Sequence, residues 1–336
     1  MAGLSRELGI DLGTLNTRIA EGKNILIQEP TVAAILLDEL KLVEIGKSAL
    51  DMLGRVPDNI EVNRPMRHGV IAEFEIAENL LREWVRQVTG RMLLFRPRLI
   101  ITVPYGVTSV ERRAVYEAGL GSGSRDVNLI QQPLAASIGV DLPIGTPTGN
   151  MIICLGGGTT QAAVIAMNGI VSADTTQVAG LKIDGAIVDF IRRKYGLIIG
   201  QPTAEQLKIQ IGSAIAQDEQ QSMEIQGQDQ VTGLPRPVLL TTNEITEAIQ
   251  PPLEAVADTI RRVLEKTPPE LISDIIDRGV ALCGGTSLMP DIDRYLTSSL
   301  GIPAYIVDNP TTCIVEGAAK AFTMLEELSR NLPPRI

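Results

Sequence analysis

The sequence predicts an α/β protein of two related halves facing each other across a cleft, and three observations carry that expectation. Ile152 to Gln161 reads I-I-C-L-G-G-G-T-T-Q, an uncharged β-branched run followed by three glycines and two threonines. Such a run reads as a buried strand, and glycines directly after it let backbone N–H groups approach an anion. Leu8 to Thr17, L-G-I-D-L-G-T-L-N-T, repeats the plan with Gly13 and Thr14. Apolar strand runs then alternate with helical periodicity along most of the chain, the rhythm of a mostly parallel or mixed sheet. Two such loops, one from each half, can clamp a polyphosphate.

Residues 5 to 37 read as a meander: a strand ending at Asp11, then strands at 17 to 21, 24 to 28 and 31 to 37, punctuated by Gly22 and Pro30. Residues 46 to 68 read as a helix followed by loop, and Ile76 to Val88 has the spacing of an amphipathic helix. Leu99 to Val103 is a buried strand stopped by Pro104, Ser109 to Ala118 a helix with Ser109 as N-cap, and Asn128 to Ile130 a strand leading into an Ala-rich helix. Strands follow at 162 to 166 and 170 to 177, and helices at Ile183 to Lys194 and Thr203 to Ile215. Ser222 to Thr241 reads as a hairpin. Asn243 caps a helix to Leu264 in which Pro251 and Pro252 predict a kink or break. A helix from Pro268 to Gly279, a strand from Val280 to Cys283 entering Gly284, Gly285 and Thr286, a strand at 304 to 307 and a helix at 315 to 328 complete the chain.

Composition narrows the function classes. At 336 residues the chain can hold two domains with sizeable cores. A net charge of −10 argues against nucleic acid as a partner, because phosphate contacts need clustered cations. An anionic ligand must therefore be held by backbone amides, a few lysines or a metal. Three cysteines without CxxC spacing fit a reducing cytoplasm. The N-terminus has no apolar segment of signal-peptide length, and no window approaches the roughly 18 apolar residues of a spanning helix.

Six stretches, in order and at similar spacing, resemble the actin superfamily and most closely its bacterial MreB branch. They are G-I-D-L-G-T-L-N-T at 9 to 17, E-P-T-V-A-A-I at 29 to 35, R-P-M-R-H-G-V-I-A at 64 to 72, I-T-V-P at 101 to 104, G-G-G-T-T at 156 to 160, and T-P-P-E-L-I-S-D-I-I at 267 to 276. The resemblance spans nearly the whole chain and implies an actin-like fold with domains subdivided into IA, IB, IIA and IIB around a nucleotide cleft. Domain I would take 1–140 plus 310–336, with IB roughly 31–68, and domain II 141–309, with IIB roughly 181–240. It also implies binding of Mg-ATP, assembly of the chain with itself into filaments, and work with the cell-wall synthesis machinery at the inner membrane face. Two other classes compete: a soluble actin-fold ATPase and a nucleotide-dependent scaffold that does not hydrolyse.

The resemblance distributes roles over particular residues. Asp11 would face Mg2+ and its waters, since magnesium prefers carboxylate, water and phosphate oxygens. Gly13, Thr14, Asn16 and Thr17 would form the first phosphate loop and Gly156, Gly157, Gly158 and Thr159 the second. Gly284, Gly285 and Thr286 would lie against adenosine, with a plain β-turn as the other reading. Glu205, Lys208 and Gln210 share one helix and would hold ribose and adenine, or else form a solvated face. His68 would stand near the phosphate side, or serve as a hydrogen-bonded loop residue.

Departures from the branch pattern matter as much. Gln131 and Gln132 stand where MreB proteins carry two glutamates, Cys154 and Leu181 where they carry aspartate, and Gln161 and Gln210 where they carry glutamate. A carboxylate can deprotonate an attacking water, whereas an amide such as that of Gln132 can only orient it. The expectation is ATP binding with hydrolysis slow or lost, and Cys154 as a small core residue. Met92, Leu93, Leu94 and Phe95, rimmed by Arg91, Arg96 and Arg98, read either as a tip seating on an anionic bilayer or as the start of the strand at 99.

Overall fold

The structure, a computed structural model, describes residues 5–38, 41–90, 96–328 and 332–333. Its frame is a repeat. Strands Glu7–Leu12, Asn16–Glu21 and Asn24–Pro30 form an antiparallel meander, and Arg98–Val103 and Asp126–Gln131 extend the sheet in parallel on the other side of the first strand. In the second half Asn150–Leu155, Thr160–Ala166 and Gly169–Thr176 form the meander, and Val280–Cys283 and Ala304–Ile306 extend it in parallel. Numbered by chain order within each sheet, both read 3-2-1-4-5. In each half the central strand delivers its C-terminal end to a glycine turn.

Helices complete both halves by periodicity. Phe74–Thr89 buries Ala77, Leu80, Leu81, Trp84 and Val85, one stripe at the i, i+3, i+4, i+7, i+8 spacing, and each large side chain contributes roughly 1.5 to 3 kcal/mol. These side chains join Leu8, Ile10, Leu99 and Ile101 in the first core. Helices Gly180–Tyr195 and Thr242–Glu265 close the second core over Ile153, Val164 and Leu282. Between the sheets lies a layer of small residues from Gln132–Gly139 and Cys313–Lys320 together with Cys154, Ala163, Ala281 and Cys283. Glycine lets these two helices touch: a Cβ at Gly139 or Gly317 would collide with the opposite backbone. Gly9 lets Cys313–Lys320 sit directly on the first strand, where a Cβ would meet the Ala319 nitrogen. Each half also carries a three-stranded sheet, Ala33–Leu36 between Lys41–Ile45 and Ile60–Asn63 in the first, and Ser222–Asp229 between Leu197–Ile198 and Pro235–Thr241 in the second.

Local details depart from the sequence expectations. Residues 46 to 68 hold a helix over Gly46–Asp51 only, and Ile60–Asn63 is a strand paired to Ala33–Leu36. Thr108, not Ser109, caps the next helix, accepting from the Glu111 N–H while the Glu111 carboxylate accepts from the Thr108 N–H. Thr241, two residues before Asn243, is the N-cap of the later helix, its N–H donating to the Glu244 carboxylate at 3.0 Å. Helix Thr242–Glu265 runs unbroken through Pro251 and Pro252. Pro251 is exposed and so is Glu247, whose carbonyl loses its i+4 donor, so water can satisfy it. The expected 315–328 helix is instead Cys313–Lys320, a 3-10 turn and Leu325–Leu328. The apolar tip with Leu93, Leu94 and Phe95 lies outside the described residues. Among the described residues no helix is long and apolar enough to cross a membrane.

Candidate functional site

The two glycine turns are built alike. Gly13 N–H donates to Asn16 O at 3.2 Å, and Gly156 N–H donates to Thr159 O at 3.0 Å. Both glycines are required by this closure: a Cβ would stand 2.5 Å from Asn16 O in the first turn and 2.8 Å from Thr159 O in the second. Among the described residues, the N–H groups of Thr14, Leu15, Gly157 and Gly158 find no internal partner. Successive free amides of this kind form an anion-binding concavity.

The turns meet across one cavity. It is lined by Asp11, Gly13, Thr14, Asn16 and Gln132 from the first half and by Gly156, Gly157, Gly158, Thr159, Gly284, Gly285 and Thr286 from the second. Gly157 abuts Leu15, whose Cδ1 would be 2.5 Å from an added Cβ, and a Cβ at Gly158 would collide with Thr14. Thr14 Oγ1 also accepts from Gly69 N–H at 2.8 Å. The cavity measures about 210 Å³, below the roughly 300 to 1,000 Å³ of ligand pockets, so the halves stand close together. A larger groove of about 1140 Å³, between Glu21, Asp141 and Lys320, contains neither glycine turn, so size does not locate the site.

Most of the expected residues converge here, but not all. Glu205 and Lys208 line the cavity, whereas Gln210, on the same helix, is exposed and absent from the lining. Thr17 is fully buried behind the loop, sharing a 2.9 Å hydrogen bond with Thr31. His68 is exposed with Nδ1 3.4 Å from Gly158 O, and it is the adjoining Gly69 that lines the cavity. Thr286 Oγ1 donates to Gly156 O at 2.8 Å, tying the third glycine turn to the second. Gly285 has open space where a side chain would go, so a flat ring system can approach its backbone.

The floor of the cavity is an amide ladder. Tyr105 N–H donates to Gln161 Oε1 at 2.8 Å, Gln161 Nε2 donates to Gln132 Oε1, and Gln132 Nε2 donates to Asp11 Oδ1 at 3.1 Å. Thr102 Oγ1 adds a 2.8 Å donation to the same Asp11 oxygen. Glutamates at 132 and 161 could not make this ladder, because a carboxylate does not donate. The two glutamines thus act as one hydrogen-bonded unit. Thr175 Oγ1 donates to Tyr105 O at 2.9 Å, so the Tyr105 backbone bridges the two halves at both its polar groups. This bridge was not deducible from sequence, since Tyr105, Gln161 and Thr175 share no local pattern.

Beside the ladder the chemistry is soft and neutral. Cys154 and Cys283 are paired residues on neighbouring parallel strands with sulfurs 3.4 Å apart, and both are buried. Hydrogen bonding to Cys154, with burial, pushes the Cys283 thiol well above its ordinary range, so it stays protonated. Cys154 therefore packs as a small core residue while one side of it faces the cavity.

Near Glu205 a buried ion pair stiffens the wall. Lys208 Nζ is 2.6 Å from Asp184 Oδ1, and Asp184 is 1% exposed with its second oxygen unpaired. Burial raises the Asp184 carboxyl above its ordinary value, and Lys208 opposes the rise. Arg64, from the first half, is pushed down by burial and supported by Glu205 of the second.

Whether the floor fits a magnesium ion follows from its donors. Asp11 Oδ1 already accepts from Thr102 and Gln132, and Oδ2 lies 3.9 Å from the Arg18 guanidinium. The remaining floor groups are amides and a thiol, and thiols are poor ligands for a hard cation. Among the described residues no cluster of three or more His, Cys, Asp or Glu side chains could hold a metal. The protein groups do not fit a magnesium ion gripped by the chain.

Comparison with known proteins decides the family. The family profile described as MreB/Mbl protein matches residues 5–330. The chain belongs to the MreB/Mbl family. It is 43% identical over 328 residues to the cell shape-determining protein MreB of Escherichia coli strain K12, covering 96% of this chain and 94% of that one. It is 38% identical over 327 residues to the cell shape-determining protein Mbl of Bacillus subtilis strain 168, covering 97% and 98%. Among solved structures, MreB5 of Spiroplasma citri bound to AMPPNP superposes with a TM-score of 0.91 at 32% identity, covering 98% of this chain and 99% of that one, and its ADP-bound form does equally well. A MamK double helical filament, at 20% identity and a TM-score of 0.79 over 94% of this chain and 98% of that one, shares the fold. The fold is actin-like, as the sequence resemblance implies, and this MreB/Mbl chain has Gln132, Gln161 and Cys154 lining its cavity.

Proposed function

We propose that this chain is a cell-shape cytoskeletal protein that binds ATP between its two glycine turns and polymerises with itself, with ATP hydrolysis slow or lost. The observation that carries the reading is the pair of matching turns, Gly13 to Asn16 and Gly156 to Thr159, facing each other across one cavity. Backbone amides and the hydroxyls of Thr14 and Thr159 would hold the phosphates, and Gly284, Gly285, Thr286, Glu205 and Lys208 the nucleoside. Relatives support the biological role: the names of the MreB and Mbl relatives state cell-shape determination, and MreB5 was solved with AMPPNP and ADP. Mg2+ enters only as the ion that the triphosphate carries with it.

Slow turnover follows from the ladder. Gln132 spends a donor on Asp11 and an acceptor on Gln161, and it has no basic group to take a proton from water. The working place is the cytoplasm, at the inner membrane face, beside the wall-synthesis machinery. Contact through Leu93, Leu94 and Phe95 is part of this proposal, as are the domain bounds given above.

The test is sedimentation with ATP, with ADP and without nucleotide, alongside phosphate release. Pelleting that depends on nucleotide, with little phosphate released, is expected. A persistent monomer that releases phosphate would overturn the cytoskeletal reading. Combining Gln131→Glu, Gln132→Glu, Gln161→Glu and Cys154→Asp is expected to raise phosphate release; an unchanged rate would refute the account of slow turnover.

A further inference from the structure

The misfit between the floor of the cavity and a divalent cation has a counterpart in Arg18. Strand Asn16–Glu21 returns from the first glycine turn, and its register places Arg18 opposite Asp11. Strand neighbours in register share a face, so the arginine is carried to the cavity floor by the same hairpin that forms the phosphate loop. Arg18 lines the cavity with its side chain only 13% exposed. Its Nε is buried without a hydrogen-bond partner, and its one charged neighbour among the described residues is Asp11 at 3.9 Å, too far for a hydrogen bond.

A buried guanidinium with an unused N–H, beside free loop amides, is set up to accept an oxyanion. Arginine carries its charge at any physiological pH, and its planar fork matches phosphate geometry. It also offsets the Asp11 carboxylate, which would otherwise repel a polyphosphate at short range in a low-dielectric floor. The same cation repels a divalent ion from Asp11.

We propose that Arg18 supplies the fixed positive charge that a protein-held magnesium ion would otherwise provide, so that the chain binds nucleoside triphosphate with or without a divalent cation. The inference rests on the nucleotide reading above and adds to it the identity of the counter-charge. Nothing else lining the floor can play this part, since Gln132, Gln161 and Cys154 are neutral and Lys208 is already committed to Asp184.

The test titrates the purified full chain with a fluorescent ATP analogue, in excess magnesium and in excess EDTA, for the native chain, Arg18→Leu and Arg18→Lys. The native chain is expected to change its Kd by less than about threefold between the two conditions, and Arg18→Leu to weaken at least roughly tenfold in EDTA and far less in magnesium. Arg18→Lys, which keeps the charge but not the fork, is expected to recover part of the EDTA affinity. Circular dichroism melts confirm folding, and Arg18→Gln replaces Arg18→Leu where the latter fails to fold. Native binding that disappears in EDTA, or an Arg18→Leu or Arg18→Gln chain as indifferent to EDTA as the native one, overturns the proposal while leaving ATP binding intact. Absence of binding in both conditions overturns the nucleotide reading and this inference with it.

Discussion

The two halves place different chemistry at the same point of the same frame. Asp11 occupies in the first sheet the position that Cys154 occupies in the second, one residue before the end of the central strand and two before the glycine turn. Their antiparallel neighbours correspond as well, Arg18 opposite Asp11 and Gln161 opposite Cys154. On the parallel side the hydroxyl of Thr102 donates to Asp11, whereas the thiol of Cys283 lies against that of Cys154. One corner is charged and hydrogen-bonded; the other is neutral and packed by sulfur. A repeated backbone thus fixes where the loops stand, and the side chains at three matching positions fix how much charge the cavity carries.

The difference is open to direct attack. Asp11→Ala removes the acceptor for Thr102 and Gln132 and leaves the Arg18 cation buried without a counter-charge. It should cost about 2 to 4 kcal/mol of unfolding free energy, against about 1 kcal/mol or less for Cys154→Ala. Parallel denaturant titrations decide it, and equal losses would dissolve the asymmetry. Gln161→Leu is intermediate: it strips an acceptor from the Tyr105 N–H and the donor from Gln132, for about 1 to 3 kcal/mol, and should speed amide exchange at Tyr105. Unaltered protection of that amide would mean that the bridge between halves is held elsewhere.

The smallest effect concerns acid. Burial would raise the Glu244 carboxyl, but hydrogen bonds from Lys194, Tyr195 and the Thr241 N–H outweigh it and bring it from an ordinary 4.5 to about 2. A depressed carboxyl stabilises the folded state fully above its unfolded value, and that stabilisation is lost as pH falls from about 4.5 towards 2. Glu244→Gln should lower stability near neutrality by about 1 kcal/mol, the size of a helix cap, and flatten the acid limb of a stability-versus-pH curve between those values. A mutant curve parallel to the native one would show that the cap does not titrate in this window.

The frame was legible because both central strands are mainly apolar runs leading into glycine, with Asp11 the one buried charge in the first, a pattern that survives without any knowledge of partners. Helix Phe74–Thr89 was legible for a similar reason, its stripe being local. What could not be read depends on distance or on exposure. Lys41–Ile45 buries no residue fully and exposes the apolar Val43, so it lacks an alternating signal. Pro251 looks like a break until the exposure of the helix at Glu247 is known. Tyr105 and Gln161 are 56 residues apart, and nothing near either marks the bond between them. Arg18 carried a faint signal, a cation seven residues after Asp11 on the returning strand of a short hairpin, where the register places the two opposite each other.

Leu15 fills the space above Gly157, and Thr14 fills that above Gly158. The jaws therefore rest against one another like the teeth of a closed zip, and anything as large as a nucleotide has to prise them apart on entry. Occupancy and protomer shape become a single variable, so a row of such protomers would register its cargo as a change in pitch.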